Sequence, residues 1–216
     1  MQDPLSIKTV ERKVFRTTFA DGLWDVLLGC FVLEFAIAPF LSKYLGDFWS
    51  SAVFLPFWGL VYLGIWLTRK YVVAPRIGVV SFGKTRKQKL SRFRLVMLVT
   101  NVLALVLGII VFLTFTKEPL ARFSGLYFLY PAVFSVSALL FLSAAAFLLD
   151  FPRLFIYALL LFAAPPIGEW LYQRYGAIHH GFPIVFGFSA AVMILIGLSL
   201  LIHLVVTTPP VDSEGG

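Results

Sequence analysis

The sequence predicts an all-α integral membrane protein: a six-transmembrane-helix bundle with a short N-terminal amphipathic interfacial helix and a basic cytoplasmic loop. Three observations carry that prediction. Of the 216 residues, 60% are hydrophobic and 13% charged, against about 45–50% apolar and about 25% charged in soluble domains. Six apolar runs have the length, roughly 20 residues, that a helix needs to cross a hydrocarbon core about 30 Å thick. The 18 lysines and arginines are unevenly shared among the connecting segments. A chain of this length makes one domain, whose interior is too small to hide so much apolar surface from water. Soluble enzyme, disordered tail and disulfide scaffold are excluded on that ground.

Residues 1–20 form the N-terminal cytoplasmic segment. Ile7, Val10 and Val14 recur there at helical spacing, with Lys8, Arg12 and Arg16 on other faces; this is the pattern of a helix lying in the inner leaflet. The transmembrane domain covers 21–208, with spans at about 23–41, 49–67, 95–115, 125–149, 152–172 and 183–205, and 209–216 form a short cytoplasmic tail. Ala36-Ile37-Ala38 resembles a signal-peptide cleavage site. However, Asp21, Asp25 and Glu34 interrupt the run before it, so the first span reads as a retained helix. Between the fourth and fifth spans only Asp150-Phe151 precede Pro152. Proline suits the first position of a helix, so these spans form a tight antiparallel hairpin.

The loop 69–94 carries Arg69, Lys70, Arg76, Lys84, Arg86, Lys87, Lys89, Arg92 and Arg94 and no acid. Its Val/Ile-rich beginning, broken by Pro75, Gly78 and Gly83, predicts short extended segments with turns rather than helix. With the N-terminus inside, 14 of the 18 basic residues fall on the cytoplasmic side, a positive-inside distribution. Both termini are therefore expected in the cytoplasm, and the protein in the plasma or inner membrane. The loop is expected to bind anionic lipid headgroups, each basic residue near such a leaflet contributing about 1 kcal/mol. The alternative is a docking surface for a membrane partner protein or a second copy of the chain. Nucleic acid is not an expected partner: Tyr71, Phe82 and Phe93 are too few aromatics for base stacking.

Ionisable groups inside the membrane are costly and mark functional candidates. Glu34 lies about 17 Å into the first span at 1.5 Å per residue, near the midplane. It has to be protonated, bonded to a polar neighbour, or facing a water-filled cavity. Asp21 and Asp25, four residues apart, share a helical face at the inner interface. Glu169 lies about 26 Å along the fifth span, at its outer end beside Trp170; His179 and His180 follow in the outer loop. Convergence of Glu34, Glu169, His179 and His180 would make an outward-facing proton or cation site. Cys30, the single cysteine, reads as a small buried hydrophobe. No metal-ligand spacing, nucleophile–base pair or cofactor motif is present, so neither a metal, a cofactor nor catalysis is expected.

Two functions follow. One is a small transporter or channel for a proton, cation or small solute, using the midplane Glu34. The alternative is a non-catalytic membrane subunit or scaffold that binds anionic lipid or a partner protein through the basic loop. A water-filled cavity reaching Glu34 favours the first. A dry Glu34 bonded to Asn101 or a serine favours the second.

Overall fold

The structure is a computed structural model that describes residues 21–77, 91, 95 and 129–209. The expected interfacial helix, the third span and the loop positions Lys84, Arg86, Lys87, Lys89, Arg92 and Arg94 lie outside the described residues. Among the described residues every regular element is helical. These are α1 (Leu23–Ala52), α2 (Phe54–Thr68), a π-helical turn (Arg69–Val73), α3 (Ala74–Ile77), α4 (Leu129–Leu148), α5 (Arg153–Tyr175), a 3-10 turn (Ile178–Gly181) and α6 (Phe182–Thr207). Four stretches are long and apolar enough to cross a membrane: Leu23–Gly46, Phe48–Arg76, Arg153–Tyr175 and Ile178–Thr207. The apolar stretch Ala132–Leu148 of α4 is shorter. They fall on the first, second, fifth, sixth and fourth runs read from the sequence.

The chain divides into two compact units, 1–81 with 163–216, and 82–162. In the first, α1 and α6 pack antiparallel through small residues. Gly22 lies against Gly197, Gly29 against Ala190 and Ile194, and Gly187 against Ala36. In a bilayer, such residues let backbones approach where no hydrophobic force separates helix from lipid. The closest approach is at the start of α1. Gly22 has φ 75, and a Cβ on it would collide with the Gly197 carbonyl. Val32, Ala36, Ala190 and Met193 are buried along the same pair of helices.

At the other end of α1 the helix kinks at Gly46 (φ 74, ψ 167), and the chain turns back into α2. Only 6% of the apolar window of Phe48–Arg76 is buried, with Leu55, Leu60, Tyr62 and Trp66 all exposed. A helix that is apolar all round and largely uncovered matches a lipid environment rather than an aqueous one.

Residues Arg69 to Ile77 correct the sequence expectation. They continue the helix instead of forming extended segments. The Ala74 N–H reaches back to the Arg69 carbonyl, the wide π spacing, and Pro75 follows immediately. Proline has no N–H to give and its ring crowds the carbonyl four residues back; a widened turn just ahead of it lets the helix pass.

In the second unit the connection expected between the fourth and fifth spans is a tight turn. Leu149 N–H bonds to Ala145 O at 2.8 Å and Phe151 N–H to Ala146 O at 3.0 Å. Asp150 turns the chain with φ 50, a left-handed conformation for which Asp is enriched. Pro152 sits just ahead of α5, and the Arg153 guanidinium lies 4.8 Å from the centre of the Phe151 ring.

Candidate functional site

The site is built where α5 ends and α6 begins. Gly176 (φ 67) ends the helix and Ala177 is extended (φ −58, ψ 137). His179 (φ 50, ψ 50), His180 (φ 55, ψ 28) and Gly181 (φ 67, ψ 0) are then three successive left-handed residues. Glycine adopts this conformation without penalty; other L-residues pay about 1–2 kcal/mol each, although His, like Asp, is enriched among those that do. Backbone strain of this kind concentrates at functional sites and persists when surrounding contacts hold it.

Those contacts centre on His180. Its Nδ1 lies 2.9 Å from Glu169 Oε2, and its ring lies 4.3 Å from that of Tyr172. Gln173 Nε2 donates to the other carboxylate oxygen, Oε1, at 2.9 Å. The Glu169 side chain is 10% exposed and that of His180 50%. A satisfied carboxylate thus lies inside, and an imidazole carries its influence outward. With Nδ1 facing the carboxylate, Nε2 is the nitrogen that can exchange a proton or accept a ligand. Gly168 permits the geometry: a Cβ there would lie 2.9 Å from His180 O and 2.8 Å from Phe182 Cδ1.

An open groove of about 390 Å³ lies nearby, and neither Glu169 nor His180 is among its lining residues. Its walls are Phe35, Ala38, Pro39 and Ser42 of α1, Ser50 beyond the kink, and Phe182 and Phe186 of α6. The Ser42 hydroxyl donates to Pro39 O at 3.1 Å. Phe182 belongs to both features, with its ring 6.0 Å from that of His180.

The four expected outer and midplane residues do not form one site. Glu169 and His180 pair. His179 turns away, its ring edge-on to Phe40 at 5.9 Å. Glu34 is in a separate contact: Trp58 Nε1 on α2 donates to its Oε2 at 3.0 Å. Phe31, Phe57 and Tyr62 surround that indole. Successive left-handed residues send the two histidines to different neighbours, which an adjacent pair in a sequence cannot reveal.

At the opposite end of α1, Asp21 and Asp25 are buried, at 2% and 0% exposure. Asp21 Oδ1 accepts the Leu23 N–H at 3.1 Å, and neither residue is without a partner. Burial this complete means that protein groups rather than water stabilise both carboxyls. Of the described basic residues, Lys70 lies over Trp66 and Tyr71, at 5.0 and 5.2 Å, Arg69 is exposed, and Arg76 Nη1 donates to Val72 O at 2.8 Å.

Sequence reasoning missed Gln173, Tyr172 and Trp58. The first two were accessible, since they lie four and three residues after Glu169 and share its helical face. Trp58 was not, because its position depends on how α1 and α2 pair. Among the described residues no group of three or more His, Cys, Asp or Glu comes together. Glu169 and His180 alone are fewer donors than a protein zinc site uses. Comparison with family models, curated proteins and solved structures finds no match, so the reading rests on this geometry.

The strained turn gives a direct test. His179→Gly relieves a left-handed residue at the loss of an edge contact, and is expected to leave thermal stability unchanged or raised by up to about 1 kcal/mol. His180→Gly gives the same relief but removes a hydrogen bond to a carboxylate worth about 1.5–3 kcal/mol, so stability should fall. Thermal unfolding of the two variants in detergent checks the contrast; an equal change in both would show that the Glu169 contact holds nothing.

Proposed function

We propose that the protein is a six-span membrane transporter or channel for a proton or cation, with both termini cytoplasmic and Glu169–His180 as its ion site at the outer end. The observation that carries this reading is the carboxylate–imidazole pair itself, an interior acid linked at 2.9 Å to a half-exposed imidazole on a strained turn. An acid at a helix end can exchange protons with water through such an imidazole without itself being solvated. Four helices long and apolar enough to span, and the positive-inside charge distribution, support the topology. Glu34 takes a structural role in this reading, because its carboxyl accepts an indole N–H from a neighbouring helix.

The test is flux in proteoliposomes under proton and monovalent-cation gradients. Glu169→Gln and His180→Ala are expected to lower flux about tenfold or more, the range in which a positioned proton-transfer group contributes. Glu34→Gln should retain it. Flux unaffected by changes at Glu169 and His180, in folded protein, refutes the assignment.

One observation favours the second reading, a subunit that holds anionic lipid through the basic segment. Lys70 is held between two aromatic rings at the end of the second span, as an interfacial anchor would be. Lipid-dependent stabilisation that Lys70→Ala removes, with no flux in any variant, would establish it over transport.

A further inference from the structure

We infer that the ion taken up by the Glu169–His180 pair is a proton and not a metal cation, and that it enters and leaves through the His180 ring. This rests on the reading of the pair as an ion site and names its ion. The state of the carboxylate decides the point. Glu169 Oε1 accepts from Gln173 Nε2 and Oε2 lies against His180 Nδ1, both at 2.9 Å, in a side chain only 10% exposed. A metal cation would have to displace one of these bonds and still find more ligands. Calcium takes about six to eight oxygens and zinc about four donors, and among the described residues no group of three or more His, Cys, Asp or Glu comes together.

A proton needs one lone pair, and His180 is half-exposed to supply it. In the tautomer with hydrogen on Nδ1, bonded to Oε2, Nε2 keeps its lone pair. A proton from water bonds to Nε2, and the Nδ1–H bond breaks as Oε2–H forms. The products are a neutral carboxylic acid and a neutral imidazole with hydrogen on Nε2; release is the reverse. Gln173 keeps its bond to Oε1 in both states, so the carboxyl stays oriented while its charge changes. The groups facing His180 come from two helices. From α5 these are Glu169 and Tyr172, whose ring lies at 4.3 Å, and from α6 Phe182, at 6.0 Å. His179 turns to Phe40 and the Lys43 ammonium to Tyr44. Arg174 is exposed and five residues after Glu169, about 140° round the helix.

Two measurements on the full chain test this. In proteoliposomes, a pH gradient with equal sodium, potassium and calcium on both sides should drive flux. Gradients of those cations at equal pH should drive about tenfold less or none. In detergent, the ring-nitrogen NMR signals of His180, assigned by their loss in His180→Ala, should titrate with pH and ignore the three cations at fixed pH. Glu169→Gln should alter that titration. Imidazole added outside should restore proton flux to a folded His180→Gly protein, which a merely structural histidine would not allow. Cation flux at equal pH that Glu169→Gln abolishes would overturn the proton and leave transport standing. His180 signals that move with a cation at fixed pH, a titration indifferent to Glu169→Gln, or no rescue by imidazole in folded protein would also overturn the inference. A Glu169-dependent His180 titration without flux under any gradient would uphold the proton site and sink transport instead.

Discussion

Alanine at Gly22 is expected to destabilise the protein by about 2–4 kcal/mol, combining about 1 kcal/mol for a side chain at positive φ with about 1–3 kcal/mol for overpacking. The cause is local and backbone-to-backbone. Gly22 has φ 75, and its Cβ would meet the Gly197 carbonyl, which cannot rotate away as a side chain could. The reciprocal change has the same basis. A Cβ on Gly197 would lie 2.6 Å from Gly22 O and 2.8 Å from Val26 N. Gly59 and Gly64 of α2 are the controls, because among the described residues nothing lies within 4 Å of a Cβ on either. Alanine there should be neutral or stabilising by up to about 1 kcal/mol, the helix-propensity difference. Unfolding in detergent followed by circular dichroism measures all four. A Gly22→Ala protein as stable as the parent would mean that α1 and α6 do not meet at this point.

Trp58→Phe is the second large effect. It preserves most of the aromatic packing with Phe31, Phe57 and Tyr62 but deletes the donor to Glu34. Interhelical hydrogen bonds in bilayers average about 0.6 kcal/mol because the partners find substitutes. An acid near a helix centre left without a donor costs more, about 2.5–3.5 kcal/mol on insertion scales. The expected loss is therefore about 1.5–3 kcal/mol, the range for hydrogen bonds to charged groups. Glu34→Gln should cost under about 1 kcal/mol, since a carboxamide oxygen accepts from the same indole. Combining Trp58→Phe with Glu34→Leu should recover most of the loss, as removing both partners of a buried polar pair does. Neutral behaviour of Trp58→Phe would refute a structural Glu34. Abolished flux in a folded Glu34→Gln protein would return the mechanism to the midplane acid.

These two effects also mark the boundary of what one-dimensional reasoning reaches. Among the described residues, the positions of the apolar helices followed from hydropathy and length, because each apolar residue expresses its preference for lipid wherever its neighbours lie. The tight turn at Asp150–Pro152 followed from local stereochemistry, since two residues and a proline leave the chain few paths. The helical continuation through Arg69–Ile77 did not follow. Val, Ile and Pro there carry extended and breaking preferences, and the π-helical turn that overrides them is not a residue-level property.

The amino-acid sequence by itself determined that this chain is apolar enough for a bilayer, where the apolar helices among the described residues fall, and which few acids and histidines are costly to keep there. Only the tertiary structure decided their partners. Gly22 meets Gly197, Glu34 meets Trp58, and Glu169 selects His180 over His179. The first two contacts join residues on different helices, and no local preference encodes them. The third depends on consecutive left-handed residues that local propensity disfavours. Such a turn forms because contacts across the fold outweigh its strain, and those contacts exist only once the helices have packed.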